Sequence, residues 1–210
     1  MINNSKITRS GNCGIGSVGG FFTFPSSSTI YGISNNHVVA NLNSCAVGDT
    51  ITDAFNNPIG KLTNWFILNS PGQVNYLDAA LFELTPGPPP ISWQMNGDVT
   101  KPKGFIEPRT NGGVYMITPR GTQIGVITQT YTNQLMNFHL CNQPFLFTHI
   151  TEIAPKQKAP FSIPGESGCI VFSSNQCIVG LIIGTNLDGS RSYAIPFVDG
   201  ILKYYPLIIA

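Results

Sequence analysis

The sequence predicts an all-β protein built from two halves. Many short runs of β-branched and aromatic residues are bounded by turn residues, and no long stretch repeats with the 3.6-residue period of a helix. The 22 glycines and 16 prolines are spread along all 210 residues, as frequent turns between strands require. A proline-rich segment at 85–90 divides these runs into two sets. Together these observations favour barrels or sandwiches of short strands.

Each half contains five or six predicted strands. In the first half they are 20–24, 29–34, 50–52, 60–68 and 79–84; in the second they are 114–118, 121–131, 144–150, 168–172, 177–184 and 192–195. Turn residues at 56–58, 173–175 and 188–189 fall between runs, as hairpins require. We expect one half at 1–90, an extended crossover at 91–110 and a second half at 111–210. The only helix predicted is a short one at 197–205, which Pro206 ends.

Charge and hydropathy exclude several classes of function. Charged residues make up 10% of the chain and the net charge is +1 without a basic block, which argues against nucleic acid and anionic lipid as partners. No run approaches the roughly 20 apolar residues of a membrane helix. The first ten residues lack the apolar stretch of a signal peptide, so we expect a cytoplasmic protein.

The cysteines predict neither a metal site nor a cofactor. There are five, an odd number, and they lie far apart without a CxxC motif or a Cys/His cluster at zinc spacing. We expect them to be small buried hydrophobic residues in a reducing compartment. They are Cys13, Cys45, Cys141, Cys169 and Cys177.

Three segments carry residues suited to nucleophilic catalysis. His37 follows an apolar strand in Gly-Ile-Ser-Asn-Asn-His-Val-Val, Asp78 precedes another in Leu-Asp-Ala-Ala-Leu-Phe, and Ser167 lies in Gly-Glu-Ser-Gly before a third. A serine hydroxyl needs a base within hydrogen-bond reach, and that base needs a partner that fixes its tautomer. The sequence therefore predicts Ser167 as nucleophile, His37 as general base and Asp78 as the residue that orients the base. Asp49 or Asp53 would be the next acid to consider.

The glycines around the serine fit the same chemistry. Backbone N–H groups of Gly165 and Ser167 can converge on a developing oxyanion, because glycine tolerates the backbone angles that turn its amide inward. Gly168 leaves space beside the nucleophile for a substrate.

These segments resemble the histidine, aspartate and serine motifs of chymotrypsin-like serine proteases. Their order along the chain is the same, and residues 177–184 and 193–197 resemble the strands that follow the serine in bacterial trypsin-like members without a signal peptide. The likeness extends from about residue 11 to residue 205. It implies two six-stranded antiparallel β-barrels, a short C-terminal helix and serine endopeptidase activity through an acyl-enzyme.

An α/β-hydrolase is excluded by the same residues. Its elbow is Gly-x-Ser-x-Gly, but Cys169 occupies the last position here. Its histidine follows the serine along the chain, whereas no histidine follows Ser167. The other two histidines, His139 and His149, are predicted to be structural or surface residues.

The resemblance also implies a substrate pocket and a departure from the family. No acid lies at the expected pocket base, which favours a small or apolar substrate side chain, although Asp188 lies near the rim in sequence. Glu166 precedes the serine where relatives usually carry aspartate, and its partner is left open. The pocket residues implied are Phe161, Ser162, Ile183, Gly184 and Thr185.

Three functions follow from this pattern. The first is an endopeptidase with a protein or peptide substrate, and an analogy at the level of the fold suggests a regulated bacterial effector or defence protease with a regulatory protein partner. The second is a catalytically inactive protease-fold module that binds peptides along a strand edge. The third is a hydrolase of lipids or small esters.

Overall fold

The computed structural model describes residues 3–9, 12–70, 72–85, 91–95, 98–138 and 144–210, and they form two curved β-sheets. One helical turn, α1 (Asn36–Val39), interrupts the first. The strands up to residue 84 are β1 (Lys6–Arg9), β2 (Asn12–Ser17), β3 (Gly20–Thr23), β4 (Tyr31–Ser34), β5 (Thr50–Asp53), β6 (Pro58–Trp65), β7 (Val74–Asn75) and β8 (Ala80–Leu84). Those that follow are β9 (Gln94–Met95), β10 (Asp98–Val99), β11 (Gly113–Thr118), β12 (Gly121–Met136), β13 (Phe145–Pro155), β14 (Ile170–Ser173), β15 (Ile178–Thr185), β16 (Ser192–Pro196) and β17 (Ile208–Ile209).

The first sheet curls into a six-stranded barrel with one added strand. Its order is β17-β3-β4-β8-β6-β5-β1-β2, and every pairing is antiparallel. Because β2 and β3 are two parts of one run separated by Val18 and Gly19, the order returns to where it started. The added strand, β17, comes from the far end of the chain and pairs with β3.

The second sheet forms a similar barrel. Its order is β12-β11-β14-β15-β16-β13, and it closes because β12 also pairs with β13. The added strand here is β7 from the first half of the chain, which lies parallel to β13. The predicted architecture of two six-stranded antiparallel barrels is confirmed, and each barrel in addition takes one short strand from the other half. A separate hairpin pairs β9 with β10.

Side-chain alternation explains the long hairpin of the second barrel. In β12 the buried positions Gln123, Gly125 and Ile127 alternate with more exposed ones, the two-residue period of a strand with one face on a core. The interior of this barrel holds a cluster that includes Val114, Phe161 and Ile182. A larger cluster fills the first barrel and continues into the seam between the two.

The structure differs from the sequence expectation at several elements. The helix predicted at 197–205 is wrong in extent: only a single 3₁₀ turn, Ile201–Lys203, is present, because the N–H of Phe197 bonds to Val179 in β15 and ties the segment to the sheet. Strands β1 and β2 were not predicted, and β12 and β13 run further than their patterns indicated. Residues 86–90, part of the proline-rich segment, lie outside the described residues. Across the described ranges, no helix is long and apolar enough to cross a membrane.

Candidate active site

His37 lies on the one helical turn of the first barrel. The turn, Asn36–Val39, follows the end of β4, and the buried amide of Asn36 fixes it from behind by donating to the carbonyl of Phe66 and to Oδ1 of Asn43, both at 2.6 Å. The N–H of Asn43 in turn donates to Oδ1 of Asn36 at 3.1 Å. The asparagine before the histidine is therefore part of the site's scaffold.

Asp78 holds the imidazole by two contacts. One carboxylate oxygen lies on Nδ1 of His37, and the other accepts the backbone N–H of His37 at 3.1 Å. The amide of Asn35 donates to the backbone carbonyl of Asp78 at 2.6 Å, and the carboxylate is fully buried. A carboxylate on Nδ1 requires that nitrogen to carry the hydrogen, which leaves Nε2 with a lone pair for a proton.

Ser167 lies on the other side of the same cavity, on the loop that enters β14. The cavity has a volume of roughly 630 Å³, and both Ser167 and His37 line it. The hydroxyl of Ser167 donates to the backbone carbonyl of Ile183 at 3.3 Å. The structure thus brings histidine and aspartate into direct contact and places the serine at their cavity, with its hydroxyl turned to a strand carbonyl.

Neighbouring segments anchor the backbone of the serine loop. The carbonyl of Gly165 accepts Lys6 Nζ and, at 3.3 Å, the hydroxyl of Ser17. The carbonyl of Ser167 accepts a hydrogen bond from the N–H of Ser17 at 2.8 Å. The N–H of Gly168 donates to the carbonyl of Ile182, also at 2.8 Å.

Turn bonds complete the loop. The N–H of Glu166 donates to the carbonyl of Ile163 at 3.0 Å, and the carbonyl of Glu166 accepts the N–H of Cys169 at 3.1 Å. Within the part of the chain that the structure describes, the N–H groups of Gly165 and Ser167 have no backbone acceptor.

Two glycines give this loop its shape. Gly165 has a φ of +87° and Gly168 a φ of +91°, the left-handed region that other residues adopt only with strain. At Gly168 there is also no room for a side chain, because a Cβ would meet the carbonyl oxygen of Ser17. Glycine at both positions is therefore a geometric requirement.

The open question about Glu166 has a structural answer. Its carboxylate is 1% exposed and accepts two bonds from the guanidinium of Arg120, Nε at 2.9 Å and Nη2 at 2.7 Å. The hydrogen bond to Glu166 raises the pKa of Arg120, so the guanidinium stays protonated. Arg120 lies in the turn between β11 and β12, and no sequence motif marked it.

Phe138 covers one face of the imidazole. It follows β12, and its ring stacks on that of His37 with centroids 4.2 Å apart and planes 16° from parallel. The rings of Phe145 and Phe147 support it from behind, with centroids at 5.6 and 6.0 Å. The second barrel thereby contributes a wall to the histidine of the first, a contact that the sequence pattern did not indicate.

The implied pocket residues divide into two groups. Ile183, Gly184 and Thr185 line the cavity. Phe161 does not: it is fully buried in the core of the second barrel. Ser162 is also buried, and its hydroxyl lies 2.8 Å from that of Ser192.

The alternative acids are occupied elsewhere. Asp53 accepts the N–H groups of Phe55 and Asn57 in its own turn, and this bonding, led by the Asn57 side chain, lowers its pKa. Asp49 accepts the N–H of Ala46.

The rim acid Asp188 and the surface histidine His149 do not line this cavity. Asp188 borders a neighbouring cavity of about 400 Å³. His149 is exposed, and His139 lies outside the described residues.

Comparison with known proteins agrees with this architecture. No protein-family model and no curated protein matches the chain. Among solved structures, it is similar to a glutamic acid-specific serine protease that uses a histidine triad in substrate binding (14% identity, TM-score 0.71, 100% of each chain covered). It is also similar to the Nocardiopsis protease (17% identity, TM-score 0.68, 98% of this chain and 96% of that chain covered). Thermobifida fusca protease A is similar as well (16% identity, TM-score 0.66, 98% of this chain and 96% of that chain covered). The chain has the chymotrypsin-like serine protease fold.

Proposed function

We propose that this protein is a serine endopeptidase, with Ser167 as nucleophile, His37 as general base and Asp78 as the residue that orients the base. The observation that carries the proposal is the buried contact between Asp78 and Nδ1 of His37, on a cavity that Ser167 also lines. A carboxylate in that position selects the tautomer whose Nε2 can accept the serine proton. The fold of the solved serine proteases supports the same reaction class.

Acylation starts with a rotation of the Ser167 side chain from the Ile183 carbonyl towards His37. Oγ then attacks the carbonyl carbon of the peptide bond while Nε2 takes the hydroxyl proton. The negative charge that develops on the substrate oxygen is bound by the N–H groups of Gly165 and Ser167, which have no backbone acceptor in the described chain. The imidazolium returns its proton to the leaving amine, the peptide bond breaks and an acyl-enzyme remains.

Deacylation repeats these steps with water. His37 removes a proton from the water molecule, the resulting hydroxide attacks the ester carbon, and the same two N–H groups bind the second oxyanion. Collapse of this intermediate releases the acid and returns the proton to Ser167. Asp78 stays ionised throughout and stabilises the imidazolium.

The cavity favours a protein substrate with a small or apolar residue at the cleaved bond. Ile163, Met136 and Ile183 contribute apolar surface to it. None of the lining residues within the described ranges is an aspartate or glutamate, so nothing there would pair with a basic side chain. The thiols of Cys169 and Cys177 support a reducing compartment such as the cytoplasm.

A fluorophosphonate probe tests the proposal, because it reacts only with an activated serine. We expect the wild type to be labelled at Ser167 and the Ser167→Ala variant to remain unlabelled. Ser70→Ala is the matched control, since Ser70 is exposed and does not line the cavity. Equal labelling of wild type and Ser167→Ala, or none of either, would refute the catalytic role.

Absence of labelling in both proteins would favour the second candidate function, the inactive peptide-binding module. A folded wild type that binds peptides without reacting would be the inactive module, with the Ser167 hydroxyl held on Ile183. Cleavage of a peptide library by wild type but not by Ser167→Ala would instead identify the preferred residues and separate an endopeptidase from a small-ester hydrolase. A regulatory protein, if one acts, would be found by its effect on the labelling rate.

A further inference from the structure

We propose that Lys6 is a positioning residue for the hydrolysis, and that it holds the serine loop in the conformation that binds the oxyanion. The inference rests on the proposed function. Lys6 belongs to β1, in the first barrel, whereas Gly165 belongs to the loop before β14, in the second. Its Nζ donates to the carbonyl oxygen of Gly165 across the cleft.

The register of the first barrel fixes this reach. Lys6 is paired with Ser17 between β1 and β2, and Ser17 donates its hydroxyl to the same Gly165 carbonyl and its N–H to Ser167. A Cβ built at Gly165 would lie 3.1 Å from Lys6 Nζ, so the lysine packs directly against the glycine. Two neighbouring side chains of one barrel thus fix one carbonyl of the other.

The conformation of Gly165 makes such an anchor necessary. With a φ of +87° and no side chain, this residue can rotate more freely than a residue with a side chain. Its carbonyl and its N–H belong to adjacent peptide groups, so fixing the carbonyl restricts the rotation that would turn the N–H out of the cavity. Arg120 fixes Glu166, the next residue, through its side chain.

The charge of Lys6 has a second effect at the same place. Among the described residues that line the cavity, Lys6 is the only lysine, arginine, aspartate or glutamate. Its ammonium therefore adds a positive charge to the cavity in which the negative charge forms on the substrate oxygen. An interaction that is realised only as this charge develops lowers the barrier and leaves substrate binding unchanged.

Lys6→Met, Lys6→Arg and a control, Lys61→Met, test this role with p-nitrophenyl acetate as substrate and the fluorophosphonate as probe. Lys61 is a suitable control because its Nζ also bonds to a neutral oxygen, Oγ1 of Thr50 at 2.7 Å, in the same barrel. For Lys6→Met we expect kcat and the labelling rate to fall about tenfold to hundredfold, with KM within about twofold of wild type. Lys6→Arg should keep at least about a third of the wild-type rate, since a guanidinium also donates and carries charge.

Four outcomes are informative. Equal rates for Lys6→Met and Lys61→Met overturn the inference and leave the proposed function intact. The inference is also overturned if Lys6→Arg has the melting temperature of wild type but a kcat as low as that of Lys6→Met. If Lys6→Met does not fold, Lys6→Gln replaces it, and wild-type kcat there overturns the inference as well. A wild type that reacts with neither reagent overturns the proposed function, and the role of Lys6 with it.

Discussion

Replacement of Arg120 by methionine should destabilise the protein and disable the serine loop together. Methionine keeps most of the side-chain length but removes both N–H···O bonds to Glu166, which are 2.9 and 2.7 Å long. The carboxylate is 1% exposed and would keep one donor, the N–H of Ile163 at 3.0 Å. Breaking a buried ion pair from one side costs about 3–5 kcal/mol, and because Arg120 itself is 28% exposed we expect about 3 kcal/mol.

Unfolding in guanidinium chloride at neutral pH measures this loss as a change in the free energy of unfolding. For a chain of this size, 3 kcal/mol corresponds to a decrease in Tm of about 6–12 °C. The matched control is Arg191→Met. Arg191 bonds to Glu152 at 3.0 Å in the same barrel, but its side chain is 40% exposed, so we expect a loss of about 1 kcal/mol or less.

Two results separate the buried charge from simple loss of packing. In the double variant Arg120→Met/Glu166→Gln no unpaired charge remains, so it should recover more than about 1 kcal/mol relative to Arg120→Met. The single variant should also label slowly, because Glu166 lies between Gly165 and Ser167, the two residues whose N–H groups we propose to bind the oxyanion. A loss below 1 kcal/mol with wild-type labelling would refute the assignment of Arg120 as the loop's anchor.

Three further predictions concern the cavity and its surroundings. Gly168→Ala should lower the free energy of unfolding by about 2 kcal/mol and abolish fluorophosphonate labelling, because φ is +91° and a Cβ meets Ser17; normal labelling would contradict it. Burial raises the pKa of Cys169 from 9.0 to about 12, so stability should fall as pH rises from 9 to 12, by up to about 1.4 kcal/mol per pH unit from this thiol. Urea titrations should show a shallower decline for Cys169→Ala than for wild type. Phe138→Ala should cost about 3 kcal/mol by thermal melting, and an unchanged Tm would argue against its packing on His37.

The barrels could be predicted from the sequence because strands and turns are marked by residues that lie close together along the chain. Most of the longer strands show their own run of β-branched or aromatic residues, and the turns between them show glycine, proline or asparagine. The segments around His37, Asp78 and Ser167 are equally local, since each lies within a few residues of a strand end. Their roles in catalysis remain predictions, to which the structure adds the contact between His37 and Asp78.

What the sequence did not indicate depends on contacts between distant segments. Lys6 and Gly165 are 159 positions apart, and Arg120 and Glu166 are 46 apart. Neither cation lies in a motif, and a lysine on a short strand is ordinarily a solvated side chain. Phe161 was expected to line the pocket, but its side chain points into the core of the second barrel. The reason is related, because the direction of a side chain at the end of a loop depends on how the whole loop is anchored.

The exchange of strands between the barrels limits how this protein can be taken apart. Separate expression of the two halves would leave β3 without β17 in the first and β13 without β7 in the second, so each half would expose an unpaired edge prone to aggregation. Ala210 adds to this link by donating its N–H to the carbonyl of Phe21 at 3.0 Å. Fragment complementation at the segment between the halves is therefore a more promising route than isolated domains, and reassembly would itself report the formation of the cleft.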